Sequence, residues 1–155
     1  MSAPGPQLFL AFDYGTRRLG VASGDTLTRT ARALTTLDMT AGPPWPDIAA
    51  LVAEYRPAQL VVGVPYNMDG SPTRLTSAAR KFARELSLRH GLQVALVDER
   101  QSSQEAEAQL REARRQGVKR RRVTHADVDM AAAKVLLERW LETPQAAEII
   151  HPGRH

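Results

Sequence analysis

The stretch LFLAFD, at residues 8–13, decides the fold of this chain. It is a short apolar run that contains two phenylalanines and lies between Pro6 and Gly15. Such a run is typical of a β-strand that is buried on both faces. Its last residue is Asp13, an ionisable side chain at the end of an otherwise apolar strand. We therefore predict a buried first strand that ends in a carboxylate.

Two more strands follow in hairpins, and the rest of the chain alternates between helix and strand. The predicted strands at 19–23 and 30–37 are separated by Gly24 and Asp25, and with the first strand they form an antiparallel meander. The remaining predictions are a helix from Pro46 to about Tyr55, a strand at 60–64, a helix at about 73–90, a strand at 93–97, and two helices ending near Gln116 and Glu142.

Alternating strands and helices favour parallel strand pairing, because a crossover helix returns the chain to the same end of the sheet. We therefore expect an α/β fold, with a mixed five-stranded sheet and helices on both faces. The chain has 155 residues, enough for a single domain. The expected organisation is a flexible N-terminus at 1–7, one domain at 8–143 and a C-terminal tail at 144–155.

Composition excludes several classes of chemistry. The chain has no cysteine, which removes disulfides, thiolate nucleophiles and cysteine-based zinc sites. Its formal charge of +4 is only a weak indication of a polyanionic partner. No signal peptide is recognisable, and no stretch approaches the ~20 apolar residues of a membrane span. We expect a soluble, cytoplasmic protein with no membrane partner.

Acidic side chains occur where burial should disfavour them. Asp13 ends one apolar strand, Asp98 and Glu99 follow another, and Asp129 shares a helix face with apolar residues. Asp127 is about 200° away on the same helix, so we expect it to face water. A buried carboxylate that lacks a partner either takes up a proton or destabilises the fold.

A divalent cation would account for such a group of acids. Mg²⁺ prefers oxygen ligands, and two such ions can support phosphoryl displacement without a protein nucleophile. Each acid also has an ordinary structural explanation. Asp13 could satisfy backbone N–H groups in a turn, Asp98 or Glu99 could pair with an arginine, and Asp129 could complement the helix dipole. Patterning alone leaves the two interpretations about equally good.

Four segments resemble the motif blocks of a known family. They are FDYGTRRLGVASGD (residues 12–25), VGVPYNMDGS (62–71), VDERQSSQEA (97–106) and VDMAAAKVLLERWL (128–141). In order and spacing they are similar to the YqgF/RuvX family. That family is described as Holliday junction resolvases or as nucleases that trim the 5′ end of the 16S rRNA precursor.

The resemblance implies an RNase H-like fold and a metal-dependent endonuclease. By resemblance, Asp13, Glu99 and Asp129 are the catalytic, metal-binding acids, holding two Mg²⁺ or Mn²⁺ ions, and Asp98 is a supporting residue. The implied substrate is structured RNA or branched DNA. Junction resolution needs two symmetric cuts and would imply a homodimer, whereas rRNA trimming would not.

A basic segment precedes the last helix. Seven of the twelve residues from Arg111 to Arg122 are Lys or Arg. The early cations suit a helix C-terminus, whereas residues 119–122 are placed to bind phosphates without reading sequence. His125, in the next turn, could assist or be incidental. The predicted nucleic-acid-binding residues are Arg17, Arg18, Arg100, Ser102, Lys119, Arg120, Arg121 and Arg122.

Two other functions remain open at this stage. The DYGT stretch at residues 13–16 also resembles the phosphate loop of actin-like and sugar-kinase ATPases. Those proteins enclose nucleotide between two domains, so the length of this chain disfavours them. A non-catalytic nucleic-acid-binding RNase H-like module is the other alternative, and the presence of all three acids disfavours it.

Overall fold

The computed structural model describes residues 7–99, 108, 111–112, 115, 125–144 and 147–153. The elements within these ranges, in chain order, are β1 (Leu8–Tyr14), β2 (Arg18–Asp25), β3 (Ala31–Asp38), α1 (Trp45–Tyr55), β4 (Gln59–Val64), α2 (Thr76–His90), β5 (Val94–Asp98), α3 (His125–Glu142) and β6 (Glu148–Ile150). Residues 108, 111–112 and 115 are helical, in agreement with the helix predicted there.

The strands form one mixed sheet in the order β3-β2-β1-β4-β5-β6. The first three strands are an antiparallel meander, and β4 and β5 run parallel to β1. The predicted mixed α/β architecture is confirmed. The predicted count of five strands is wrong by one, because β6 adds an antiparallel edge strand to β5. This strand is only three residues long and lies in the stretch interpreted as a tail, where no alternating pattern marks it.

β1 lies in the interior of the sheet and is covered on both faces. On one face, Leu10 and Phe12 are fully buried in a core shared with α1 and α2. On the other face, Phe9 and Ala11 pack with apolar residues of α3. The continuous apolar run in the sequence follows from this double coverage.

The helix α3 approaches the sheet closely because the facing residues are small. Ala11, Ala22 and Ala95 all lie on its side of the sheet, together with the helix residues Leu136 and Trp140. Gly20 makes the closest approach: an added Cβ would lie 2.6 Å from the carbonyl carbon of Asp129 and closer still to its oxygen. The backbone of α3 therefore rests directly on β2 at this point.

The described helices also show the predicted boundaries. Pro46 lies in the first turn of α1, where its missing N–H costs no hydrogen bond. Gly91 ends α2 with φ of 63°, a left-handed conformation that glycine adopts without strain. No helix in the described ranges is long and apolar enough to cross a bilayer.

A first prediction concerns the contact at Gly20. We expect Gly20→Ala to lower the free energy of unfolding by about 1–3 kcal/mol, because the new methyl group overlaps the α3 backbone. Urea denaturation monitored by circular dichroism measures this. An Ala variant as stable as the unaltered chain would contradict the close packing of α3 on β2.

Candidate active site

Asp13 lies between two glycines on the neighbouring strands. Its register partner on β2 is Gly20, and its register partner on β4 is Gly63. Residues paired across neighbouring strands project to the same face of a sheet. Both sides of Asp13 are therefore free of side chains on the face that α3 covers.

Gly20 admits the backbone of α3 and with it Asp129. Because the helix backbone at Asp129 lies against Gly20, this second carboxylate is carried to the position next to Asp13. Burial raises the pKa of the Asp13 carboxyl, and the charge of Asp129 acts in the same direction. A side chain at position 20 would push the helix, and this acid, away from the sheet.

Gly63 admits the side chain of Glu99. Glu99 follows β5, two strands from β1, and its carboxylate lies across β4: an added Cβ on Gly63 would be 2.8 Å from Oε2 of Glu99. Glu99 thereby reaches Asp13 and hydrogen-bonds to it. We call Asp13, Glu99 and Asp129 the acidic centre.

Two residues of the acidic centre, Asp13 and Glu99, have raised pKa values. Burial raises the pKa of Glu99 to about 11, and the hydrogen bond to Asp13 and the charges of Asp13, Asp98 and Asp129 act in the same direction. Burial also raises the pKa of Asp13, the charge of Asp129 adds to this, and the hydrogen bond from Glu99 opposes it. These raised pKa values favour a hydrogen bond in which the protonated Glu99 carboxyl donates to Asp13.

Asp129 has a different partner. The Nε of Arg18, the first residue of β2, donates to Oδ2 of Asp129 at 2.5 Å. The Arg18 side chain is 38% exposed and that of Asp129 is 25% exposed, so the ion pair is partly screened by water. The negative charge of Asp129 is thus balanced by the guanidinium of Arg18.

The donors of the acidic centre suit a hard divalent cation. They are carboxylate oxygens only, and burial together with the neighbouring acids raises the pKa of both Glu99 and Asp13. As they stand, no three carboxylate or histidine side chains among the described residues are arranged to hold one ion. Asp13 and Glu99 already meet, whereas Asp129 would have to turn away from Arg18 to join them.

The structure corrects the expectation for Asp127. This residue was expected to face water, but it is only 3% exposed. The reason is a second buried stripe on α3, where Asp127, Ala131 and Val135 follow one another at intervals of four residues. The apolar stripe through Leu136 and Trp140 is therefore not the only face of α3 that the protein covers.

The predicted nucleic-acid-binding residues are only partly described. Arg17 is exposed in the turn after β1, and Arg18 is paired with Asp129. The structure describes the side chain of neither His125 nor the remaining predicted contacts. The residues that lie outside the described ranges are Arg100, Ser102, Lys119, Arg120, Arg121 and Arg122.

Gly20 and Gly63 leave room for two acids of the candidate site, and the sequence analysis did not identify them. Both interrupt runs of buried strand residues, RLGVASGD in β2 and QLVVGV in β4. A glycine inside a strand often marks the close approach of another group. That signal was available, although it does not say which group approaches.

A second prediction concerns the pH dependence of stability without metal. In the unfolded chain Glu99 loses its proton near its ordinary pKa of 4.5, whereas in the fold it keeps the proton to about pH 11. The unfolded state therefore becomes more favourable as pH rises above 4.5. We expect Glu99→Gln to reduce this loss of stability by up to about 1 kcal/mol per pH unit.

Urea unfolding in EDTA between pH 5 and pH 9 measures the effect. Glu54→Gln, on the exposed side of α1, is the control and should follow the unaltered chain. Parallel profiles for all three proteins would show that Glu99 does not retain its proton in the fold.

Comparison with known proteins places the chain in a family. The family model described as "RuvX: Holliday junction resolvase" matches residues 7–143. A protein of Coxiella burnetii (strain RSA 331 / Henzerling II), named "Putative pre-16S rRNA nuclease", is 47% identical over 134 residues, which cover 86% of this chain and 91% of the relative. A protein of Azotobacter vinelandii with the same name is 46% identical over 139 residues, covering 88% and 94%.

Solved structures agree on the fold. The structure titled "T. thermophilus RuvC in complex with Holliday junction substrate" has a TM-score of 0.57 at 13% identity, covering 92% of this chain and 99% of that one. A second structure of Thermus thermophilus RuvC has a TM-score of 0.51 at 13% identity. At this identity the likeness concerns the RNase H-like fold alone. The family match over most of the chain and the high identity to the curated relatives show that this protein belongs to the RuvX (YqgF) family.

Proposed function

We propose that the chain is a divalent-metal-dependent endonuclease that hydrolyses phosphodiester bonds in structured nucleic acid. The observation that carries the proposal is the convergence of three carboxyl groups: Oε2 of Glu99 lies over Gly63 and the backbone of Asp129 rests on Gly20, and these two glycines are the register partners of Asp13. Three acids gathered in this way destabilise a fold unless a cation or a proton compensates them. Binding of Mg²⁺ or Mn²⁺ would replace that proton.

The residues of the acidic centre would divide the binding of two ions. Asp13 lies between the other two acids and would contribute to both ions, while Glu99 and Asp129 approach from opposite sides across Gly63 and Gly20. When bound, the ions would activate a water nucleophile and stabilise the leaving 3′ oxygen, so that the product carries a 5′-phosphate. The protein itself holds the ligands in place through the sheet and through the contact of α3 with β2.

The names of the relatives support the substrate class. The curated relatives are named for cleavage of pre-16S rRNA, and the family model is described by Holliday junction resolution. We propose maturation of the 5′ end of pre-16S rRNA, junction resolution in recombination and repair, or both. The first activity would place the protein in the cytoplasm and needs one active site, whereas the second needs a dimer with two.

A third prediction tests the catalytic role of the acidic centre. We expect Asp13→Asn, Glu99→Gln and Asp129→Asn each to reduce cleavage by at least about 10³-fold in Mg²⁺, because each removes a carboxylate that would bind the ions that stabilise the transition state. Cleavage of a 5′-labelled substrate on a denaturing gel measures this, and circular dichroism checks that each variant is folded. Glu54→Gln is again the matched surface control.

Two results would overturn the proposal. One is normal cleavage by Asp13→Asn in Mg²⁺ or Mn²⁺, and the other is cleavage by the unaltered protein that persists in EDTA. Tight binding of nucleic acid with no cleavage in either metal would instead favour the non-catalytic RNase H-like module.

A fourth prediction separates the two substrates. A four-way DNA junction and a precursor rRNA fragment are incubated with the protein in the same Mg²⁺ buffer, and its molar mass is measured in that buffer by light scattering. A monomer that cuts the rRNA fragment at one position indicates trimming, whereas a dimer that makes symmetric cuts in the junction indicates resolution. Cleavage of neither substrate would contradict both assignments.

A further inference from the structure

The backbone of Arg18, the first residue of β2, is held in place by its neighbours. An added Cβ on Gly15 would lie 2.7 Å from the carbonyl oxygen of Arg18, so the turn between β1 and β2 is tight. The carbonyl oxygen of the preceding residue, Arg17, accepts a hydrogen bond of 2.8 Å from the N–H of Met39. The backbone that carries Arg18 is thus fixed from two directions.

The Arg18 guanidinium extends from this held backbone to Asp129. Its Nε lies 2.5 Å from Oδ2 of Asp129, and the two residues are 111 positions apart in the chain. Asp129 is fixed as well, because its backbone rests on Gly20. The ion pair therefore joins the start of β2 to α3, and rotation of either side chain would break it.

The same carboxylate is the one that an ion in the acidic centre would need. Asp13 and Glu99 face each other, while Asp129 is turned to Arg18. Two cations close to one carboxylate repel each other strongly where water screens them only in part. Arg18 and a divalent ion thus cannot both use Asp129 at low cost.

We propose that Arg18 takes the place of a cation on Asp129 in the metal-free protein and competes with the divalent ion for that carboxylate. Arg18 is then a positioning residue that acts through Asp129. Metal binding releases the guanidinium, whose planar set of donors suits the two oxygens of a phosphate. This rests on the proposed function, since it assumes that the acidic centre binds a divalent ion.

The test is a Mn²⁺ titration of the full-length chain, monitored by the electron paramagnetic resonance signal of free Mn²⁺. We expect Arg18→Gln to bind Mn²⁺ about tenfold more tightly than the unaltered chain, because the competing cation is gone. Arg18→Lys keeps the charge but loses the planar fork, so its affinity should lie between the two. Arg32→Gln, on the exposed side of β3, removes the same charge elsewhere and should have no effect.

A second measurement follows Arg18 itself. In the ¹H–¹⁵N spectrum, the Nε–H signal of Arg18 is identified by its loss in Arg18→Lys. Addition of Mg²⁺ should shift this signal towards the position of an exposed arginine. If Arg18→Gln does not fold, the Mn²⁺ affinity of Arg18→Lys and the shift of this signal on addition of Mg²⁺ test the inference instead.

The direction of the change in affinity decides between the explanations. Weaker or unchanged Mn²⁺ binding by Arg18→Gln, or an Arg18 signal that Mg²⁺ leaves in place, would show that the ion pair only supports the site, and would overturn this inference alone. If the unaltered chain binds no Mn²⁺ at millimolar concentration, the proposed function fails as well.

Discussion

The candidate site depends on the lack of side chains on either side of Asp13. Gly20 and Gly63 are its register partners on the two neighbouring strands, and each leaves room for one other acid. The backbone of α3 packs against Gly20 and so places Asp129 beside Asp13. The side chain of Glu99 crosses β4 at Gly63. The sheet therefore fixes the distances between acids that lie far apart in the chain.

This arrangement costs stability when no cation is present. Burial and the charges of the neighbouring acids favour the protonated form of Glu99, and Arg18 pairs with Asp129. Under the proposed function, this proton and this guanidinium take the places that divalent cations would occupy. A site of this kind is preorganised for cations, because the cost of bringing the carboxylates together is met during folding.

Much of the fold follows from local patterns, whereas the site depends on long-range packing. The hairpin turns after the buried run that ends in Asp13 predicted the antiparallel meander, and the alternation of strands and helices predicted the parallel pairing that follows. The edge strand β6 is too short to show a pattern of its own. The prediction that Asp127 is exposed was wrong, because the periodicity of one helix cannot show how many of its faces are covered. The ion pair between Arg18 and Asp129 spans 111 positions and leaves no trace in either local sequence.

The central claim is that Asp13 and Glu99 form the core of a divalent-cation site that Asp129 completes. Crystals of the protein soaked in Mn²⁺, with diffraction data collected at the manganese absorption edge, test it most directly. The claim predicts an anomalous difference peak about 2.1 Å from carboxylate oxygens of both Asp13 and Glu99, with Asp129 turned towards it. No peak at this position at saturating Mn²⁺, with the hydrogen bond between Glu99 and Asp13 left in place, would contradict the claim.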